Sequence, residues 1–227
     1  MDHTLVPYDQ ELARLKDNLL KMSGLVEELI SKSVEALKNR DGKLAEEVVQ
    51  RDKEIDQLEL EIDDQCISLI ALYQPKAGDL RFITTAMKIT NDLERMGDLA
   101  EDIAERTLEL ADQEPVKPLV DIPKMADLTK EILKMSLDAF VKGDVTKAEG
   151  VWEKEREIDK LKDQVYDELV SIMVRNAHLI PRAIPLLLVS RHLERIADHA
   201  TNIAEDVVFM VEAKVVKHSG GESERSG

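Results

Sequence analysis

The chain reads Leu93-Glu94-Arg95-Met96-Gly97-Asp98-Leu99 and, about a hundred residues later, Leu193-Glu194-Arg195-Ile196-Ala197-Asp198-His199. Both copies continue in register, with Ile103-Ala104-Glu105 matched by Ile203-Ala204-Glu205. An internal repeat of this kind indicates that the fold is a duplicated unit. On a helix, residues i and i+4 lie on one face, so each copy directs two carboxylates to one place. Because like charges so placed repel each other, a cation is their expected partner.

The composition is typical of long, packed helices. Among the 227 residues, aromatic side chains make up 3% and charged side chains 34%, and there are only 9 glycines. The net charge of −16 argues against a nucleic-acid partner and against anionic membrane surfaces, because both bind clustered Lys and Arg. The same charge favours metal cations or basic patches on partner proteins.

Apolar residues recur at helical spacing in six segments. The predicted helices cover about 9–40, 43–73 and 79–110, then a segment from Met125 to the break at Gly143-Asp144, then about 145–176, and last a helix to about Glu212 that begins at Pro181 and Pro185. Asp41-Gly42 ends the first helix as Gly143-Asp144 ends the fourth. Pro115, Pro118 and Pro123 mark the linker between the halves.

The sequence therefore predicts an all-α protein of two tandem, sequence-repeated three-helix bundles with six long helices. We assign the first bundle to residues 1–112 and the second to residues 122–213, and we expect residues 214–227, rich in Gly and Ser, to be disordered. The two bundles lie either side by side or end to end. A single irregular six-helix bundle is the alternative.

No segment predicts a membrane span. The longest apolar run, Ala183 to Val189, is interrupted by Pro185 and is far shorter than the roughly 20 residues that a spanning helix needs. The first residues, Met1 to Thr4, lack the basic and apolar parts of a signal peptide. The single Cys66 cannot form an internal disulfide. We therefore expect a cytoplasmic protein without direct membrane insertion.

Paired carboxylates also occur on the second helix of each half. Asp52-x-x-x-Asp56 precedes Glu94-x-x-x-Asp98 across a helical hairpin, and about equal distances from its turn bring the two pairs level. Carboxylate oxygens suit hard cations such as Mg, Mn, Ca or Fe. The predicted metal ligands are Asp52, Asp56, Glu94, Asp98 and Asp102 in the first half and Glu155, Asp159, Glu194 and Asp198 in the second. Because Asn202 replaces Asp102, we expect the second site to be the weaker.

Two observations limit this interpretation. On a helical wheel, Glu94 and Asp98 flank the apolar stripe, so the site is expected near the surface and open to ligands. The alternative is that these carboxylates form only a solvated face, as charged residues beside an apolar stripe usually do.

Gly97 lies in mid-helix, where glycine costs roughly 1 kcal/mol relative to alanine, which indicates that two helices pack closely there.

The motifs of several enzyme classes do not occur in the sequence. There is no Gly-x-x-x-x-Gly-Lys-Ser/Thr phosphate-binding loop and no Gly-x-Ser-x-Gly nucleophile turn. No histidine follows a glutamate by three residues, so the Glu-x-x-His of ferritin-like di-iron bundles is missing. We therefore predict a protein that is not an enzyme, with no catalytic residues. A metal-binding helical bundle for iron storage or oxidation is the alternative function.

The two Leu-Glu-Arg motifs, together with Gln74-Pro75-Lys76-Ala77-Gly78-Asp79-Leu80-Arg81, resemble the PhoU family of bacterial phosphate-uptake regulators over about residues 9–212. The resemblance implies two three-helix domains, acidic metal sites and action in the cytoplasm. It implies negative regulation of the Pst phosphate transporter, through its ATPase subunit, and of a phosphate-sensing histidine kinase. It also implies homodimers, and an apolar content of 43% agrees with self-association.

Overall fold

The computed structural model describes residues 5–213, and in this part of the chain every regular element is helical. The helices are α1 (Leu5–Asn39), α2 (Gly42–Tyr73), α3 (Gly78–Leu110), α4 (Asp121–Lys142), α5 (Val145–Glu149), α6 (Val151–Arg175) and α7 (Ile180–Glu212), with a 3-10 turn at Ala177–Leu179. The prediction of an all-α fold is confirmed. The predicted disorder of residues 214–227 lies outside the described residues.

Equivalent aspartates begin α2 in the first half and α5 in the second half. The Asp41 carboxylate accepts hydrogen bonds from the backbone N–H groups of Lys43 and Leu44, both at 3.1 Å. Asp144 accepts one from the N–H of Lys147 at 3.0 Å. Such caps satisfy backbone donors that have no partner within the helix. The repeat therefore extends to the way these helices start.

The structure corrects three predicted helix boundaries. The fifth predicted helix is interrupted at Gly150, a poor helix former, which separates α5 from α6. The sequence predicts Pro123 in the linker, but it lies in the first turn of α4, where its missing N–H is not needed. The sequence predicts Pro185 in the first turns of the last helix, but it lies inside α7, since the helix already begins at Ile180.

The two halves pack side by side around one hydrophobic core. The inner helices α1, α3, α7 and α4 form a closed ring in which each contacts the next. The outer helix α2 packs on α1 and α3, and the outer helix α6 packs on α4 and α7. Each half is thus a three-helix bundle, and in the second half the short helix α5 directly precedes α6. An end-to-end arrangement is excluded because α3 and α7 contact each other.

Helices α3 and α7 run antiparallel along the contact between the halves. At one end, the Arg81 guanidinium donates a hydrogen bond from Nε to the Met210 carbonyl at 3.0 Å. Near the middle, Nδ1 of His199 lies 2.9 Å from Oδ1 of Asp92. Across the ring, the side chains of Phe82 on α3 and Phe140 on α4 stack with centroids 4.8 Å apart. Polar and aromatic contacts therefore join the halves.

None of the helices within residues 5–213 has a stretch long and apolar enough to cross a lipid bilayer.

Candidate metal centre

The first acidic cluster lies between α2 and α3. We define it by the following six carboxylates: Asp52, Asp56 and Glu59 on α2, and Glu94, Asp98 and Glu101 on α3. Helices α2 and α3 form an antiparallel hairpin, so the two carboxylate rows face each other. The structure therefore brings together the four residues predicted from the paired motifs, Asp52, Asp56, Glu94 and Asp98.

Asp52 is the buried member of this cluster. It is only 7% exposed, and its Oδ1 atom has no hydrogen-bond partner. Burial raises the pKa of Asp52 to about 7, and four carboxylates add to the effect in the order Glu101, Asp56, Asp98 and Glu94. The sequence predicted a site on the surface flank, whereas the structure places one of its carboxylates beneath the surface. A buried carboxylate without a partner is costly unless a proton or a cation satisfies it.

Gly97 allows α2 and α3 to approach each other beside Asp52. A Cβ atom at this position would lie 2.7 Å from Cδ1 of Ile55 and 2.8 Å from Oδ1 of Asp52. Both distances are shorter than side chains tolerate, so only glycine fits without a shift of the neighbouring residues. The predicted close packing at Gly97 is confirmed. The same close approach holds the Asp52 carboxylate against α3.

Arg95 partly neutralises the cluster from its solvent side. Its Nη1 atom lies 2.9 Å from Oδ2 of Asp98, and its Nε atom lies 3.3 Å from Oε2 of Glu94. The second contact has an ion-pair distance but not hydrogen-bond geometry, since Oε2 of Glu94 is buried without a hydrogen-bond partner. The Arg95 side chain is 54% exposed, so solvent weakens both pairs.

Sequence reasoning missed Glu59 and Glu101. Burial raises the pKa of Glu59, and Asp63 and Asp56 add to this. Burial likewise raises the pKa of Glu101, and its acidic neighbours, beginning with Glu105 and Asp98, add to this. A signal for both was present, because each continues its paired motif three residues further along the same helical face.

The second acidic cluster lies between α6 and α7. It consists of Glu155 and Asp159 on α6 with Glu194 and Asp198 on α7, as the repeat predicts. Burial raises the pKa of Glu155, and Asp198 and Asp159 add to this. Partial burial also raises the pKa of Asp198 to about 6, although the residue as a whole is exposed, so that solvent weakens the effect. These four carboxylates therefore repel one another as those of the first cluster do.

A lysine extends into this second cluster. Nζ of Lys162 lies 3.4 Å from Oε1 of Glu194, 3.8 Å from Oδ1 of Asp159 and 3.5 Å from Oδ1 of Asp163. Burial alone would lower the pKa of Lys162, but these three carboxylates outweigh it and the pKa is raised. The lysine therefore stays protonated at neutral pH.

Asp102 is the predicted ligand that the structure places apart. Its Oδ2 atom lies 3.7 Å from Nδ1 of His192, so the side chain faces α7. Burial lowers the pKa of His192, so the imidazole is neutral at neutral pH. The other histidine near the motif, His199, contacts Asp92. The Asp102-to-Asn202 difference therefore lies on the contact between the halves, away from Asp52.

The donor set of the first cluster fits a hard cation. All six groups are carboxylates, the ligands that Mg, Mn, Ca and oxidised Fe prefer. The Oδ1 atom of buried Asp52 has no hydrogen-bond partner, so a nearby positive charge would stabilise it. In the part of the chain with described side chains, no three His, Cys, Asp or Glu groups are already arranged around a common ion position. Binding therefore requires carboxylate side chains to rotate toward one another.

The fold and the paired clusters define a duplicated all-α protein with a carboxylate-lined helical hairpin in each half. The family model of the PhoU domain matches residues 19–107 and 122–207. The chain thus belongs to the PhoU family.

Relatives and solved structures agree over nearly the whole chain. A phosphate-specific transport system accessory protein PhoU homologue of Aquifex aeolicus (strain VF5) is 46% identical over 209 residues, covering 92% of this chain and 95% of that protein. The PhoU protein of Edwardsiella tarda is 31% identical over 220 residues, covering 97% and 90%. The crystal structure of PhoU from Pseudomonas aeruginosa has a TM-score of 0.86 at 34% identity, covering 91% of this chain and 100% of that one.

The prediction that the chain is not an enzyme is confirmed, because the relatives are accessory proteins and the structural neighbours are PhoU proteins. The resemblance noted from the Leu-Glu-Arg motifs is confirmed by the same matches.

Proposed function

We propose that this protein is an accessory regulator of phosphate transport that lowers the activity of the Pst transporter and of phosphate-starvation signalling. The observation that carries the proposal is similarity over 92% of the chain to a protein named for the phosphate-specific transport system. The all-α fold and its match to a PhoU crystal structure support the same conclusion.

The protein acts by docking, and its partners are the ATPase subunit of the transporter and a phosphate-sensing histidine kinase in the cytoplasm. Long helices offer extended surfaces for such contacts, and the net charge of −16 favours basic patches on the partners. Apolar side chains are exposed on the outer helices, among them Leu60, Ile67 and Leu72 on α2 and Val174 on α6. Exposed apolar residues of this kind suit protein contacts, including those of a homodimer.

Metal binding gives this adaptor its second property. The first cluster would hold a hard cation such as Fe, Mn, Mg or Ca through Asp52, Asp56, Glu94 and Asp98, with Glu59 and Glu101 beside them. The cation would neutralise carboxylates whose mutual repulsion otherwise destabilises the α2–α3 hairpin. Since a ligand that binds only the folded state stabilises it, metal should raise the melting temperature.

A deletion strain tests the regulatory proposal. Cells that lack this protein should express phosphate-starvation genes in high phosphate, and the full chain supplied from a plasmid should restore repression. A deletion strain that stays repressed would contradict the proposal. Light scattering tests the dimer, which requires a mass of twice the 25.6 kDa chain.

A turnover assay separates the adaptor from the alternative of a bundle for iron storage or oxidation. The purified protein is supplied with Fe²⁺ and oxygen, or with Mn²⁺ and a phosphate ester, and product is followed. An adaptor shows no turnover beyond that of Glu94→Ala. Oxidation or hydrolysis that is lost in this variant would favour the enzyme.

A further inference from the structure

The two acidic clusters differ at one position that faces the carboxylates. Asp52 and Asp56 recur 103 residues later as Glu155 and Asp159. At the same offset, Glu59 is replaced by Lys162, so the repeat changes a negative charge into a positive one. On the facing helices, Glu101 of α3 is replaced by Thr201 of α7, which removes a further negative charge.

Lys162 comes from the helix that faces the Leu-Glu-Arg motif. It contacts Glu194 on α7 and Asp159 on its own helix α6, so its ammonium lies between the two carboxylate rows. Its side chain is 30% exposed. An ammonium in this location supplies the positive charge that a metal ion would otherwise provide.

The first cluster has no equivalent charge between its helices. Its cation, Arg95, lies on α3 next to the carboxylates that it contacts and is 54% exposed. The buried Oδ1 of Asp52 has no hydrogen-bond partner despite this arginine. The first cluster thus keeps an unsatisfied carboxylate, and at the position that corresponds to Lys162 it has the acidic Glu59.

We propose that Lys162 is the internal counter-cation of the second cluster, so that this protein recruits a divalent cation to the first cluster alone. The proposal rests on the metal binding argued above. The first cluster then takes its positive charge from a bound cation, whereas Lys162 balances part of the negative charge of the second cluster. Their affinity for a cation differs because a fixed ammonium repels an approaching divalent ion.

Titration of the metal-free full chain with Mn²⁺, followed by calorimetry, tests this assignment. The wild-type protein should show tight binding that Asp98→Asn weakens by about tenfold or more, since that variant removes a charged ligand of the first cluster. Asp198→Asn, the matched change in the second cluster, should leave the Mn²⁺ affinity within about twofold.

Two reciprocal variants carry the decisive comparison. Lys162→Glu gives the second cluster the residue of the first and should add a second Mn²⁺ site, with affinity raised about tenfold or more. Glu59→Lys should weaken the first site to a similar extent. Lys162→Arg keeps the charge and should add no site. Lys162→Gln serves if Lys162→Glu fails to fold, and it should strengthen Mn²⁺ binding by a smaller factor.

Melting curves in chelator provide a second readout. Lys162→Glu should lower the melting temperature, and Mn²⁺ should restore it. Equal loss of binding in Asp98→Asn and Asp198→Asn, with no gain in Lys162→Glu, would overturn the role of Lys162 and leave metal binding standing. A wild-type protein that binds no Mn²⁺ in either half would overturn both proposals.

Discussion

Gly97 on α3 lies directly against Asp52 on α2, so close that a Cβ at position 97 would be 2.8 Å from Oδ1 of Asp52. The glycine and the buried carboxylate therefore depend on each other. A larger residue on α3 would displace Asp52 or Ile55, and both of these are buried. The contact of Gly97 with Asp52 and Ile55 therefore sets the spacing of α2 and α3 at the first cluster.

Gly97→Ala should destabilise the protein even though alanine is the better helix former. Alanine gains about 1 kcal/mol in helix propensity. Overpacking against Ile55 and Asp52 costs about 1 to 3 kcal/mol, because these buried side chains must shift to admit the added methyl group. We expect a net loss of up to about 2 kcal/mol in urea unfolding, together with weaker Mn²⁺ binding.

Gly24→Ala is the matched control. Gly24 also lies inside a long helix, α1, but no atom would come within 4 Å of its added Cβ. Only the helix propensity changes, so we expect a gain of about 0.5 to 1 kcal/mol. Equal effects of the two substitutions would show that packing at Gly97 does not matter.

The metal-free protein should become more stable as the pH falls from 8 to 5. The pKa of Asp52 is about 7 in the folded chain, whereas the ordinary value for an aspartate is 3.8, so the folded state takes up the proton first as the pH falls. A carboxyl group whose pKa is raised by folding contributes its full stabilisation of the folded state at pH values below its pKa in the unfolded chain. This contribution is lost as the pH rises through its pKa in the folded chain. We expect a gain of about 1 to 3 kcal/mol over this range.

Urea unfolding in chelator at several pH values measures this effect. Asp52→Asn removes the titrating group and should remove most of the slope. The remaining slope is the sum of the other shifted groups, which include Asp198, whose pKa is raised to about 6, and His192, whose lowered pKa acts in the opposite direction. Stability that stays constant or falls toward pH 5 in the wild-type protein would contradict the burial of Asp52.

Phe140→Ala should destabilise both halves together. Phe140 is 1% exposed and stacks on Phe82, which belongs to the other half. Loss of a buried phenylalanine costs about 3 to 5 kcal/mol, and a shared core transmits this cost to the whole chain. Calorimetry should show one transition at a lower temperature. Two transitions, with only one of them shifted, would show that the halves unfold independently.

Val174→Ala, on the exposed outer face, is the control for Phe140→Ala. It should change the free energy of unfolding by about 0.5 kcal/mol or less.

Asp92→Ala should weaken the contact between the halves. Nδ1 of His199 lies 2.9 Å from the Asp92 carboxylate, and the two side chains are only 21% and 15% exposed. Loss of a partly buried hydrogen bond costs about 1 kcal/mol. Lys124→Ala is the control, because its pair with Glu157 also joins two helices but is largely exposed and should contribute less than about 0.5 kcal/mol. Urea unfolding that ranks the two variants in the opposite order would contradict this assignment.

Much of the helical framework could be read from local patterns. The segment predicted at about 43–73 is α2 (Gly42–Tyr73), and the one at about 79–110 is α3 (Gly78–Leu110). Apolar spacing and capping residues act within a few turns, so single-sequence reasoning reaches them. The fifth helix was predicted as one piece because the spacing of its apolar residues continues across Gly150.

The acidic clusters were partly predictable for the same reason. The i, i+4 rule placed Asp52 with Asp56 and Glu94 with Asp98, and the repeat placed the second set. The burial of Asp52 could not be read this way, since it depends on how closely α3 approaches at Gly97. The direction of Asp102 toward His192 depends likewise on a helix from the other half.

The helices, their duplication and the pairs of carboxylates that share a face can be predicted from the amino-acid sequence, because they follow from periodicity along one chain. The ring of α1, α3, α7 and α4, the burial of Asp52 and the position of Lys162 between two carboxylate rows become visible only in the folded molecule. These features depend on contacts between residues far apart in sequence. Such contacts depend on how whole helical surfaces fit together, and the spacing of residues along a single helix does not specify that fit.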